Sequence, residues 1–502
     1  MDATDSNIID LPPSLRKRFY ESVVFLYTFR NLLKKQTDGT KAPDLESITD
    51  KSPQATFFCF VNKLALVCHS RRGRDTITAF AVLQTGPIEY WFASNNRTAQ
   101  ELEDVRRYVT TLLNTLGQSE DDEVQDASLQ EDSPLFANLM GQVLEFNRPH
   151  IVETHIEYQL IRNIDFCIDA CNKEASQPDA LFVANQLQSL KTLAEPSLEP
   201  GLDNAQFIQH TRQLLLSIST SYHLPRFKQY LSSQTRQDRE DSNHTPWTQL
   251  YHGIGRLQAY TLAVKTFLSV RLRWRDLFES FEIIPIPSSE PSADPPSIRR
   301  SSSGIITRLS KDPSVQSVIN SKPSLITQLD KGISEAIKRK HFLPIVHAEV
   351  LLAEHILGAE RGDSGDHHIR FFNEAVFGRY IGCSKPTCRL CELYFQAPRT
   401  FTQELPIKVR PGHHNFYHAW KVPDVLVGEE KQAERRNRVL EWMVATIKDE
   451  AVRTVLRGFA VRSSHDSNTY PSSPFSNDGG SMVGGGGFGD LEGLERRMRL
   501  MG

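Results

Sequence analysis

The chain has 502 residues, a formal net charge of −3 and 39% hydrophobic residues. That length suits about three average domains or one large domain with insertions, and the near-neutral balance leaves no chain-wide nucleic-acid footprint. No apolar run approaches the ~20 residues of a membrane span, so no membrane partner is expected. Seven cysteines, unevenly spaced, follow a start (Met1-Asp2-Ala3-Thr4-Asp5) without the basic and apolar regions of a secretory leader. A soluble protein of a reducing compartment, cytoplasmic or nuclear, is the expectation.

An amphipathic helix opens the chain, with Leu15, Phe19, Val23, Val24, Leu26 and Tyr27 at helical spacing and Arg16, Lys17 and Arg18 on the wet side. A second helix runs through Phe57, Val61, Leu64 and Cys68. The clearest hairpin follows, Thr76–Leu83 and Ile88–Phe92 about the turn Gln84-Thr85-Gly86-Pro87. Thr98-Ala99-Gln100-Glu101 reads as a capping box, with Leu102, Val105, Val109, Leu112 and Leu116 as the apolar stripe behind it. The acidic run from Glu120 to Asp132 reads as a solvated loop. Thr245-Pro246 starts a long helix through Leu257, Tyr260, Val264, Phe267 and Phe278, broad enough in apolar residues to be buried. Residues 285–325 read as a disordered Pro/Ser-rich linker in which Arg299-Arg300-Ser301-Ser302 has the pattern of a basophilic kinase site. The tail, 463–502, is Ser/Gly-rich and is expected to be disordered.

Chemistry concentrates in two short strings, His347-Ala348-Glu349 and Cys388-Arg389-Leu390-Cys391. One imidazole, two thiols and a spare carboxylate are the parts of a catalytic zinc site: three protein ligands leave a position for water, and the carboxylate moves its protons. Cys388 and Cys391 share a helix face. His347 and Glu349, two apart, converge only where the chain enters a helix, and Phe342–Val346 reads as extended before the apolar face of Val350, Leu351, Leu352 and Ile356. Arg379-Tyr380-Ile381-Gly382 reads as a strand ahead of the Cys pair. Both strings thus sit at helix starts, whose positive dipole ends favour thiolate and hydroxide. Other readings stay open. The Cys pair could be packed thiols or a redox pair, and Cys383 could close a structural Cys3His site as a fourth metal ligand.

The string Tyr380-Ile381-Gly382-Cys383-Ser384-Lys385-Pro386-Thr387-Cys388-Arg389-Leu390-Cys391, with His347-Ala348-Glu349 before it, resembles the OTT-like deaminases, a family of fungal proteins in the cytidine-deaminase-like superfamily. The resemblance covers roughly residues 340–425 and implies His347, Cys388 and Cys391 as Zn2+ ligands and Glu349 as proton shuttle. Thr387 stands where the superfamily usually has Pro before the first Cys, which puts the shape of that loop in doubt.

The fold implied is α/β, a deaminase-like three-layer α/β/α core split by a large α-helical insertion. Residues 1–50 would be an N-terminal helical segment, 51–96 the first part of the core and 97–284 the insertion. Residues 326–462 would be its zinc-binding part, and the insertion could recruit a protein partner. The implied activity is hydrolytic deamination of a cytosine- or adenine-type base in a nucleoside, nucleotide or single-stranded nucleic acid; a non-catalytic zinc-stapled scaffold is the alternative. Asn95 and Asn96 fall where related enzymes contact a sugar, or are simply loop residues. In Gly412-His413-His414-Asn415-Phe416-Tyr417-His418-Ala419-Trp420, the side chains of His414, Phe416 and Trp420 could stack on a base, or Phe416 and Trp420 could pack the sheet.

Overall fold

The computed structural model describes residues 8–34, 52–174, 176–240, 246–292, 298, 300–338, 342–362, 369–398, 406–412 and 415–456. The tail expected to be disordered, His413, His414 and Arg299 lie outside them. The described chain is mostly helical around one mixed sheet of five strands in the order β3-β2-β1-β4-β5. β1 (Thr78–Gln84) and β2 (Ile88–Ser94) form the expected antiparallel hairpin, with Gln84 opposite Ile88. β1 also pairs antiparallel with β4 (Arg379–Cys383), through Ala79 opposite Cys383 and Phe80 opposite Gly382. β5 (Ile407–Val409) runs parallel to β4, and β3 (Phe281–Ile286) runs parallel to β2.

Alternation along the hairpin sorts its side chains onto two faces. Phe80, Val82, Tyr90 and Phe92 join a core with α2 (Pro53–Leu66) and the helices that follow the hairpin. Ala79, Ala81, Leu83 and Ala93 face the opposite core, with Val350, Leu352 and Ile356 of helix Ala348–Gly362. The three alanines on that face let this helix lie close to the strands. α2 docks on β1 and β4, and the Asn62 Oδ1 atom accepts from the Cys383 backbone at 3.1 Å and from the Tyr380 hydroxyl at 3.1 Å. Gly382 is required there, because a Cβ would stand 2.8 Å from the Val61 carbonyl carbon and 2.9 Å from the Asn62 nitrogen.

The first helix is α1 (Pro13–Lys34), which packs on helices Pro323–Ala336 and Glu430–Leu456. α3 (Ala99–Gln118) starts at the Thr98–Glu101 capping box, with both reciprocal bonds made and the expected stripe buried. The long helix Pro246–Arg273 runs through the helical body, and Phe278 belongs to a separate turn, Asp276–Glu279.

Two expectations are corrected. The acidic run is a helix, α4 (Asp121–Leu129), because Glu120 and Glu123 cap each other, three carboxylates occupy the first turn, and Val124 and Ala127 are buried. The stretch read as a disordered linker is largely built. Pro285 closes edge strand β3, where a missing N–H is tolerated, and helices Ser302–Leu309 and Pro313–Asn320 bury Ile305, Ile306, Val315 and Ile319. Ser301 caps the first of these helices through its bond from Gly304. No helix among the described residues is long and apolar enough to cross a membrane.

Candidate metal centre

The site gathers at two helix starts on one side of the sheet. His347 immediately precedes helix Ala348–Gly362, and its carbonyl accepts from Val350 and Leu351. Cys388 is the N-cap of helix Arg389–Gln396, with Cys391 one turn on. The His347 Nδ1 atom lies 3.5 Å from Cys388 Sγ and 3.4 Å from Cys391 Sγ, and the two sulfurs are 3.5 Å apart. Ligands bound tetrahedrally to zinc at about 2.0–2.3 Å are themselves about 3.3–3.8 Å apart. The three donors fit one face of such a tetrahedron. They are the one group of this kind among the described residues, and all three are buried.

Burial opposes charge here, and the partners decide which groups carry it. For Cys388, desolvation is outweighed by the Cys391 bond and the His347 imidazole, which hold the thiol well below its ordinary range. Cys391 is pushed well up by burial and by the Cys388 thiolate. Burial alone would lower His347, but the Cys388 thiolate and the Glu349 carboxylate raise it. Glu349, 3% exposed, is raised by desolvation, against the pull of His347. A carboxyl that readily holds a proton beside a thiolate, a thiol and an imidazole is suited to proton transfer.

Cys383, the alternative fourth ligand, stands outside the three-donor group. It ends β4, where its N–H is held by Asn62 and its carbonyl accepts from the Arg410 guanidinium at 3.0 Å, and burial pushes its thiol up to about 12.

Asn95 is buried: its Oδ1 accepts from the Ala348 N–H at 2.8 Å and its Nδ2 donates to the Arg74 carbonyl at 3.0 Å. It therefore caps the helix that carries His347 and Glu349. Asn96 is exposed, with its backbone N–H bonded to Asp75.

Of the two readings of Phe416 and Trp420, stacking on a base or packing, both rings are buried in the core beside the site. Phe416 lies under the Arg30 guanidinium, and Trp420 packs on Phe19 and Tyr394. The Trp420 indole N–H donates to Cys391 Sγ at 3.1 Å. The segment is held beside the His string by a parallel bridge of Ile345 to Trp420. The half-buried ring near the metal donors is Tyr417, 6.0 Å from the His347 ring; it lay within the aromatic string but was not singled out by its sequence.

No curated protein and no solved structure matches the chain. Residues 346–424, which carry His347, Glu349, Cys388, Cys391 and the aromatic string, match the family described as OTT_1508-like deaminase (OTT_1508_deam), and this segment is the deaminase-like part of the chain.

Proposed function

We propose that the protein is a zinc-dependent hydrolytic deaminase acting on an exocyclic amino group of a nucleobase. The observation that carries the reading is the buried His347, Cys388 and Cys391 group, inside a deaminase-family segment and with Glu349 two residues from His347. When bound, zinc supplies a Lewis acid that makes water nucleophilic near neutral pH. Glu349 would accept a proton from the attacking water and deliver it to the ring nitrogen next to the attacked carbon. The water oxygen bonds to the carbon, the carbon–nitrogen bond breaks, and the amino group leaves as ammonia with the second proton. Asn95 holds the His347 helix start, and the Trp420 indole N–H steadies the Cys391 sulfur.

Within this reading, residues 51–96 and 326–462 are two parts of one three-layer core, and the helices of 97–284 are an insertion. Its support is that the hairpin packs on helix Ala348–Gly362 and on β4, while α2 packs on β4 and β1 from the other face. Glu349→Gln tests the chemistry. We expect it to retain metal and fold while losing turnover on cytosine and adenine compounds; a wild-type rate in that variant would refute the assignment.

A further inference from the structure

The loop Ser70-Arg71-Arg72-Gly73-Arg74-Asp75-Thr76 carries three arginines and touches the metal segment at several points. The Arg74 carbonyl accepts from Asn95, the cap of the His347 helix, and the Arg74 guanidinium donates to the Leu343 carbonyl at 3.1 Å. From the other metal-bearing string, Lys385 donates to the Gly73 carbonyl at 3.1 Å. Gly73 takes a φ of 108°, and no atom lies near where its Cβ would be, so the loop backbone is open at this point.

Behind the loop lie three buried imidazoles in file. His69 and His150 have ring centroids 4.6 Å apart, and His150 and His155 are 4.5 Å apart. The charged side chains that act on them are Lys385, Arg97, Arg256 and Arg72, every one a cation. His69 Nε2, in a residue 3% exposed, has no hydrogen-bond partner among the described residues.

Beyond the loop, the Arg72 guanidinium sits 4.3 Å from the centroid of Tyr158, and Arg162 sits 5.5 Å from the same ring. Tyr158 is 38% exposed and stands on the π-helix Ile151–Ile161, a geometry often found at functional sites. Arg71, Arg72, Arg74, Lys385 and Arg162 are opposed by Glu101 on Arg71, Asp75 beside Arg74 and Glu157 on Arg162. Exposed pairs of this kind are weak, so among the described residues the four arginines exceed the three carboxylates paired with them and leave the strip positive.

We propose that the Arg71–Arg74 loop, Lys385 and the Arg72–Tyr158–Arg162 stack form a track for single-stranded nucleic acid that delivers the base to the metal centre. The substrate class rests on the deaminase reading above; the track itself does not. Its cations are spread over three segments of chain, more than one phosphate can touch, and an exposed aromatic ring among them is what a sequence-tolerant strand site uses. A mononucleotide would engage only the part nearest the metal.

The test is fluorescence anisotropy of the full-length protein with short end-labelled single strands of mixed sequence across a salt series, with a nucleoside monophosphate and inorganic phosphate as competitors. Arg72 is exposed, so Arg72→Gln leaves the core intact and the double variant with Arg74→Gln can be checked against it by melting. Each of Arg72→Gln, Arg74→Gln and Lys385→Gln is expected to weaken binding by roughly 3- to 10-fold and to reduce the salt slope by about one. Wild-type affinity in the double variant, competition by monophosphate as strong as by strand, or no strand binding at all overturns the proposal. A protein that binds strand but deaminates nothing keeps the track and refutes the deaminase reading. One that deaminates free nucleosides without binding strand does the reverse.

Discussion

Replacing His150 should make the protein less sensitive to acid. His150 is 7% exposed, touches the rings of His69 and His155, and faces Lys385, Arg256 and Arg72. Burial, then these cations, lower its pKa from 6.5 to about 3. The folded chain therefore keeps this imidazole neutral where the unfolded chain ionises it. Below pH 6.5 the unfolded state binds the extra proton, so the stabilisation is complete above that value and is lost as pH falls toward about 3. For a group ionising at about 6.5 when unfolded, RT ln(1 + 10^(6.5 − pH)) gives about 2 kcal/mol at about pH 5. His69 and His155 are also held well below the ordinary range by burial, then by Lys385 and His150 respectively. All three shifts have the same sign, so each adds to the loss of stability on acidification. Denaturant midpoints of wild type and His150→Gln at about pH 7 and about pH 5 provide the assay. The variant should start less stable at the higher pH, and its loss on acidification should be smaller by about 2 kcal/mol. An equal loss in both proteins would refute a neutral buried imidazole at this position.

Asn95→Ala should destabilise the chain by about 1–3 kcal/mol, because the Ala348 N–H and the Arg74 carbonyl both lose their partner; a denaturant midpoint unchanged from wild type would show that the cap carries no weight. Gly382→Ala should cost more, on the order of 3 kcal/mol or above, since its Cβ meets the α2 backbone at 2.8 Å and 2.9 Å. Soluble expression and a melting scan read that outcome, and a wild-type melting temperature would contradict the close approach. Trp420→Phe removes the N–H bonded to the Cys391 sulfur and should weaken metal binding by roughly 10- to 100-fold, read as zinc release to a chromophoric chelator. Unchanged release would mean that the indole only packs.

Some of this architecture was open to reading because local rules governed it. The hairpin follows from alternation and a Gly-Pro turn, and α3 from its capping box. The two helix starts follow from the only arrangement that lets His347 converge with Glu349 and the Cys pair. Where the reading failed, a partner distant in the chain decided the outcome. The linker composition of 285–325 does not show that Ile305, Ile319 and the end of β3 find apolar neighbours in α1, Glu430–Leu456 and β2. Asn95 looked like a loop residue or a sugar contact, because nothing near it in the chain reveals that Ala348 uses its oxygen. Trp420 could be read as a stacking ring or a packed one, and its partners, the Cys391 sulfur and the Phe19 ring, lie far from it in the chain. The acidic run was different: its Glu120–Glu123 box was visible, and the density of charge obscured it.

The placement of β4 has a consequence for how the protein is made. During synthesis the hairpin and the helices after it leave the ribosome long before Arg379–Cys383, so the β1 edge that will receive β4 waits unpaired while some three hundred residues are added. The His347 and Cys388–Cys391 strings join the sheet well after the hairpin. An excised 346–424 fragment would lack β1, the Asn62 and Asn95 side chains and the Phe19 ring, and with them the sheet neighbour, the helix cap and the wall behind Trp420. The deaminase-like segment is built into a larger body, and its His347 helix start gains its cap only once the chain has closed back on Asn95.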